Sequence, residues 1–326
     1  MRNPNFDILK GLLIILVIIG HFVQGTLHES FLRWLIYGFH MPVFIAIAGY
    51  FYSNTYKKRI SFIELFSKYK LRLIFPWLMA VGLYWLYLNG KNLNGIILQD
   101  SFYNTFTRPY YHLWFVTGLL GWMFTTWLFT KYFRVSLKVL LGASLVISVF
   151  FTVLHDNRIL YEQFPSIKEC VGVILSVLRP QHYVFFIFGL YLRENPLSLS
   201  NKILIPSILL GVVGLVIFYY VLNTTLFMID FFELNIALIL FLIKQALKPA
   251  WFNSQILQWL GINSFGVYLW HQFPLLFVLQ IWGGEECLFN YSMDISFSLL
   301  GIGIVYFLSK NRLTNAYLLG MKKNNN

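Results

Sequence analysis

Two ionisable side chains, Lys10 and His21, lie eleven residues apart within the first hydrophobic segment of this 326-residue chain. Eleven positions of an α-helix return to within roughly 20° of the starting face and rise about 16 Å. Asp7 falls on the same face. Because charged groups are costly in hydrocarbon, this stripe of carboxylate, amine and imidazole indicates a functional site. The alternative is an interfacial Asp7–Lys10 pair with a snorkelling lysine.

Titratable side chains recur in four later hydrophobic segments. They are His40, His112, Arg179 with His182 on one predicted helix face beside Pro180, and His271, which shares a predicted helix face with Tyr268. A lone histidine in a membrane helix is often only a hydrogen-bonding contact between helices. However, five segments place such groups at similar predicted depth, and this convergence favours one polar cavity that opens to the outer side.

The composition indicates an integral membrane protein that is all-α. Hydrophobic residues make up 58% of the chain and charged residues only 12%, whereas soluble domains carry about 25% charge. We predict about ten transmembrane helices in one bundle domain, 1–312, followed by a short basic cytoplasmic tail, 313–326. The ten hydrophobic segments centre on residues 8–27, 33–53, 71–89, 112–130, 137–154, 171–192, 203–222, 227–243, 256–281 and 294–309.

The distribution of charge predicts the orientation of these segments. With both termini in the cytoplasm, most of the 25 Lys and Arg residues fall on the inner side. The net charge of +12 is therefore interpreted as a topology signal and as contact with anionic lipids, not as nucleic-acid binding.

Six basic residues cluster around the predicted inner end of the third segment. Such a cluster can bind a polyphosphate or anionic lipid, or it can serve topology alone. Its members are Lys57, Lys58, Arg59, Lys68, Lys70 and Arg72. The sequence contains no phosphate loop, no dinucleotide fingerprint and neither HExxH nor CxxC, so no metal site is predicted.

Several of these residues stand in motifs of a known family. The motifs are Asp7-x-x-Lys10-Gly11 with His21, Phe39-His40-Met41-Pro42, His112-Leu-Trp-Phe, and Ser264-Phe-Gly-Val-Tyr268-Leu-Trp-His271. With these motifs in this order, the chain resembles the acyltransferase-3 family of ten-helix bacterial membrane proteins, which O-acetylate cell-surface polysaccharides. Its all-membrane outline is most similar to members described as fucose 4-O-acetylase-like.

The resemblance implies that the chain moves acetyl from cytoplasmic acetyl-CoA to a hydroxyl of a saccharide, free or lipid-linked, at the bacterial inner membrane. It implies His21 as the catalytic residue. From the chemistry of the residues we expect His21 to act as general base, working with Asp7, Lys10, His271 and Arg179. His40, His112, His182 and Tyr268 would bind the acceptor, and the six basic residues would bind coenzyme A. The family's Arg-x-x-Arg motif is matched only in part, because Tyr69 stands where its first arginine belongs, three residues before Arg72.

Three alternatives stay open on the sequence. Acetyl could pass covalently through His21 or a tyrosine instead of moving directly. A proton-coupled transporter also has polar residues at mid-membrane, although the internal repeats of many transporters are not found here. A membrane scaffold without enzymatic activity is the third alternative.

Overall fold

The computed structural model describes residues 3–23, 26–27, 29–89, 103–109, 112–156, 165–197, 199–221, 224–248, 253–274, 276 and 288–321. Within these ranges the regular structure is helical. The helices are α1 (Pro4–Phe22), α2 (Phe31–Tyr37), α3 (His40–Tyr56), α4 (Phe62–Tyr69), α5 (Phe75–Asn89), α6 (Trp114–Lys131), α7 (Leu137–Asp156), α8 (Pro165–Val177), α9 (Tyr183–Glu194), α10 (Asn201–Val221), α11 (Thr224–Ala246), α12 (Gln255–Ile262), α13 (Ser264–Trp270), α14 (Leu288–Lys310) and α15 (Arg312–Tyr317).

Seven stretches in the described part of the chain are long and apolar enough to cross a membrane. A further pair, Ile167–Val177 and Pro180–Glu194, meets the same criterion together but is bent by 44°. The chain is therefore a multi-pass membrane protein. The stretches correspond to predicted segments one, two, three, five, six, seven, eight and ten, with the sixth as the bent pair. The count of ten and the orientation of the termini stay predictions.

The sixth segment differs from the prediction in one respect. Arg179 and His182 were expected on one helix face, which is wrong, because the helix stops before Arg179 and resumes at Pro180 as a short 3₁₀ turn. Proline lacks an amide hydrogen and clashes with a preceding helical residue. At the break itself Arg179 has left-handed backbone angles, with φ 44°.

The third and ninth segments also depart from uninterrupted helices. The third begins at Phe62 instead of residue 71 and contains a π-helical stretch, Lys70–Ile74, so that Lys68 and Lys70 lie within the helical span together with Arg72. The ninth is divided at Asn263 into α12 and α13. Its predicted last residues, 275 and 277–281, lie outside the described residues.

The chain divides into two compact units. The first comprises Met1–Phe44, Tyr69–Pro76 and Ser198–Asn326. Within it, α1 crosses α12 so closely that a methyl group at Gly11 would overlap the Leu257 carbonyl, and one at Gly261 would overlap the Asp7 carbonyl. Hydrogen bonds to the end of α11 fix the start of α1, since the Asn5 amide donates to the Ala246 carbonyl at 3.2 Å and to the Lys248 carbonyl at 2.7 Å.

The second unit comprises Ile45–Lys68 and Trp77–Leu197. Its centre is the α9 segment around Phe185, Phe186 and Ile187, which are fully buried. Glycines again permit close helix contact, because Gly49 of α3 lies against the backbone of Phe186 and Gly189 of α9 against that of Ala46. In a membrane, where lipid is as apolar as leucine, such close packing is a main source of helix association.

Candidate active site

Two imidazole rings meet in the first unit. His21 is in the last turn of α1, and His271 immediately follows α13. Their ring centroids are 5.2 Å apart with planes inclined by 34°. His271 is fully buried, whereas His21 is partly exposed, so His21 is the ring that an incoming molecule can reach. The crossing of α1 with α12, which leads directly into α13, holds the two rings together.

Hydrogen bonds determine the tautomer of His271. Its Nδ1 lies 2.9 Å from the Val267 carbonyl oxygen and 3.0 Å from that of Tyr268. Carbonyl oxygens only accept, so Nδ1 must carry the hydrogen and donate it. In the neutral ring the lone pair is then on Nε2. The same reasoning applies to His40, whose Nδ1 donates to the Ile36 carbonyl at 2.6 Å.

Tyr37, the last residue of α2, contacts two of the histidines. Its hydroxyl oxygen lies 3.4 Å from Nδ1 of His21, and its ring centroid lies 5.0 Å from that of His40. The guanidinium of Arg33 stands 5.5 Å from the same tyrosine ring. The sequence analysis missed Tyr37. Its spacing from His40 could have identified it, because residues three positions apart lie on the same side of a helix.

Asp7 and Lys10 form an ion pair, with the Lys10 ammonium 2.8 Å from a carboxylate oxygen of Asp7. The Asp7 side chain is 4% exposed and that of Lys10 20%. Along α1, Lys10 and His21 are separated by a rise of about 16 Å. The pair therefore lies too far along the helix to exchange a proton with a molecule held at His21. Tyr268 is buried, and its carbonyl is one of the two acceptors for His271.

Arg179, predicted as a catalytic residue, lies in the second unit together with the predicted acceptor contacts His112 and His182. The Arg179 guanidinium is 4.6 Å from the centre of the Trp114 indole, and the His182 ring is stacked on it at 5.6 Å with an interplanar angle of 25°. His112 is buried and meets the ring of Tyr84 at 5.4 Å. Arg179 and His182 thus share Trp114 as a partner, although they do not share a helix face.

The six basic residues predicted to bind coenzyme A have different surroundings. Lys57 pairs with Glu194 at 3.4 Å, and the Lys68 ammonium donates to the Thr55 hydroxyl. Arg59 has left-handed backbone angles, with φ 46°. Lys58, Lys70 and Arg72 are exposed.

Within the described ranges, no three His, Cys, Asp or Glu side chains are grouped closely enough to hold a metal ion.

The comparisons with known proteins indicate an enzyme that transfers acyl groups. Residues 3–309 match the family model described as "Acyltransferase domain". The chain is similar to Nodulation protein NolL of Mesorhizobium japonicum, with 26% identity over 182 residues, which cover 54% of this chain and 48% of that protein. It is also similar to Nodulation protein NolL of Sinorhizobium fredii, with 28% identity over 189 residues, 54% of this chain and 49% of the relative. The chain thus spans about half the length of the curated relatives it matches. No solved structure matches it.

Proposed function

Because the chain belongs to this acyltransferase family, we propose that it transfers an acetyl group from cytoplasmic acetyl-CoA to a saccharide hydroxyl at the outer side of the membrane. The observation that carries this proposal is the contact between His21 and His271, whose rings are 5.2 Å apart. Acyl transfer to a hydroxyl needs a base for the hydroxyl proton, and neutral imidazole is suited to that role at neutral pH.

In the proposed reaction His21 is the general base. In this proposal Nδ1 of His21 carries the ring hydrogen and faces the Tyr37 hydroxyl oxygen, 3.4 Å away, so that the lone pair is on Nε2. Nε2 removes the proton of the acceptor hydroxyl while the hydroxyl oxygen attacks the carbonyl carbon of the thioester. The new C–O bond forms, the C–S bond breaks, and the imidazolium returns the proton to the departing thiolate of coenzyme A. His271 supports the ring of His21 from the buried side.

The remaining predicted residues divide between acceptor and donor. His40 and Tyr268 are the proposed acceptor contacts of the first unit, and His112 and His182 those of the second, where Arg179 keeps its proposed catalytic role of stabilising charge. In His40, donation from Nδ1 leaves Nε2 able to accept a hydrogen bond from a sugar hydroxyl.

We assign Lys10 and Asp7 to the cytoplasmic entrance through which acetyl-CoA would approach, because they lie far from His21 along α1. The basic residues between 57 and 72 provide charge for the phosphates of coenzyme A.

The proposal is tested by acetyl transfer from radiolabelled acetyl-CoA to cell-envelope saccharides, using the purified full chain in nanodiscs. His21→Gln and His21→Asn place an amide nitrogen near Nε2 and Nδ1 respectively, but neither amide is a base. Both variants are expected to lower kcat by a factor of roughly 10²–10⁴. Wild-type rates in both variants, at equal protein level, would refute the assignment of His21.

A second measurement separates direct transfer from covalent relay. The protein is mixed rapidly with labelled acetyl-CoA in the absence of acceptor, and the label bound to protein is counted. Direct transfer predicts no label on the protein, because nothing receives acetyl until a hydroxyl is present. Stoichiometric protein-bound label that is passed to an added saccharide would refute direct transfer.

A further inference from the structure

A cavity of about 260 Å³ lies in the second unit, where the C-terminal ends of α3 and α6 meet. Its walls are residues from two segments, 52–59 and 127–136. Both segments fall on the predicted cytoplasmic side, and both contain several basic residues. All of its lining residues belong to the second unit, and only Arg59 among them belongs to the basic cluster singled out in the sequence.

The lining of the cavity is cationic. Arg59, Lys131 and Arg134 all face it, and none of the residues lining it is acidic. Three like charges around one small space repel each other, so their placement favours a bound anion. Arginine is suited to phosphate in particular, because its planar guanidinium offers paired N–H donors that match two phosphate oxygens.

Lys131 is held in position by its neighbours. Its ammonium donates to the Ile60 carbonyl at 2.8 Å and lies 5.6 Å from the centre of the Trp127 ring. Trp127 is fixed in turn, since its indole N–H donates to the same carbonyl at 2.8 Å. An ammonium has three hydrogens, so Lys131 can donate to an anion and keep this bond.

The backbone at the two arginines is unusual. Arg59 and Arg134 have φ angles of 46° and 51°, in the left-handed region that glycine and asparagine adopt most easily. Arg59 closes the turn after α3, and Arg134 the turn after α6. At such helix ends a residue in this conformation is usually glycine. A long cationic side chain at both turns is explained if the charge itself is required at this place.

Hydroxyl groups complete the lining. Thr55, Thr130 and Ser136 all reach the cavity. The Thr130 hydroxyl already donates to the Thr126 carbonyl at 2.7 Å, so it can only accept further hydrogen bonds while that bond holds. The Ser136 hydroxyl accepts from the Val139 amide at 3.4 Å, and it can donate its own hydrogen to an anionic oxygen while that bond holds.

We propose that this cavity binds the phosphate group of an organic phosphate. Arg59 and Arg134 would each pair with phosphate oxygens, and Lys131 would contribute a third charge-assisted hydrogen bond. Two sources supply this chemistry at a cytoplasmic membrane surface, namely the nucleotide end of coenzyme A and the headgroup of an anionic phospholipid. Arg59 is shared with the proposed coenzyme A contacts, so the nucleotide as source rests on the proposed function. Phosphate binding through Lys131 and Arg134 goes beyond it.

The test compares binding of two probes to the purified full chain in uncharged maltoside micelles by isothermal titration calorimetry. Adenosine 3′,5′-bisphosphate represents the nucleotide end of coenzyme A, with adenosine as its phosphate-free control. Dihexanoyl phosphatidylglycerol represents the anionic lipid, with dihexanoyl phosphatidylcholine as the headgroup without net charge.

The variant is Arg59→Asn with Arg134→Asn, because asparagine removes the charge and accepts the left-handed backbone. The matched control is Lys138→Gln with Lys202→Gln, two exposed cations that do not line the cavity. We expect at least one anionic probe to bind wild type and the control alike, and to bind the double asparagine variant at least tenfold more weakly.

Binding of the bisphosphate alone would identify the nucleotide as the source, and binding of phosphatidylglycerol alone the lipid. The proposal is overturned if neither probe binds wild type, or if the variant and the control weaken binding equally. Acetyl transfer measured on the same samples keeps the two proposals separate. A wild-type protein that binds a probe through the arginines but transfers no acetyl would refute the proposed function and leave the phosphate site standing.

Discussion

Replacing Gly11 with alanine tests the helix contact that brings His21 and His271 together. A Cβ atom at Gly11 would lie 2.8 Å from the carbonyl carbon of Leu257 and 3.1 Å from its Cα. A Cβ at Gly261 would lie 2.5 Å from the carbonyl carbon of Asp7. Ordinary contact between carbon atoms is about 3.5–4.0 Å. Either alanine therefore forces α1 and α12 apart by roughly 1 Å, because the obstructing atoms are backbone and cannot rotate away.

The expected free-energy change has two parts of opposite sign. Alanine in place of glycine within a helix is favourable by about 1 kcal/mol. Overpacking a tight contact is unfavourable by about 1–3 kcal/mol. Gly303 of α14 provides the matched control, because nothing lies within 4 Å of a Cβ placed there and only the favourable part applies. Gly11→Ala should thus be about 1–3 kcal/mol less stable than Gly303→Ala, since the helix-propensity gain cancels in the comparison.

The two glycines should also be coupled. Once α1 and α12 have separated to admit one methyl group, the second meets less resistance, so Gly11→Ala with Gly261→Ala should lose less stability than the sum of the single variants. Thermal unfolding in detergent, followed by intrinsic tryptophan fluorescence, measures the order of stability. Acetyl transfer should fall in the Gly11 variant, because α1 carries His21. Equal melting temperatures for Gly11→Ala and Gly303→Ala would refute the close-approach argument.

Two further predictions concern the same helix and its neighbour. Tyr37→Phe removes the hydroxyl that lies 3.4 Å from Nδ1 of His21. This change should lower kcat roughly 5- to 30-fold, the equivalent of about 1–2 kcal/mol. The control variant Tyr219→Phe should leave kcat unchanged. An unchanged rate in Tyr37→Phe would show that Tyr37 does not orient His21. Asp7→Asn leaves the Lys10 ammonium without its carboxylate on a largely buried face and should destabilise the protein by about 1–3 kcal/mol, measured by thermal unfolding. Asp7→Asn with Lys10→Met should recover most of that loss, and equal stability of the single and double variants would contradict the ion-pair argument.

Much of the fold could be predicted because membrane insertion depends on local composition. A span is recognised by its length and hydropathy, and these are properties of a short stretch of sequence. The predicted segment 137–154 coincides with the apolar stretch Leu137–Leu154, and 203–222 differs from Asn201–Val221 by a residue or two. Helix breaks were harder to place. Pro180 favours a bend in the sixth segment, because proline commonly bends a membrane helix. Nothing in the sequence indicated that Arg179 would adopt left-handed backbone angles or that Lys70–Ile74 would form a π-helical stretch.

The candidate site was predictable only in its residue types. Histidines in hydrophobic segments were visible as costly groups, so His21, His40 and His271 could be chosen from the sequence. Tyr37 was passed over, because a tyrosine in a membrane helix is common and its contact with His21 depends on how α2 lies against α1. The cavity at Arg59, Lys131 and Arg134 was also missed. Its two walls are about 70 residues apart in the chain, and their charges were explained by topology.

The sequence by itself determined that this chain enters a membrane, which stretches can cross it, and that a carboxylate, an amine and an imidazole share one face of its first helix. These properties follow from the solvation of individual side chains and from helix periodicity. Only the tertiary structure decided that His271 is the partner of His21, that Tyr37 completes the contact, and that two arginine turns enclose one cavity. Such contacts arise where helices distant in sequence approach closely, as at Gly11 and Gly261. Their geometry depends on packing between both surfaces, which neither local sequence contains.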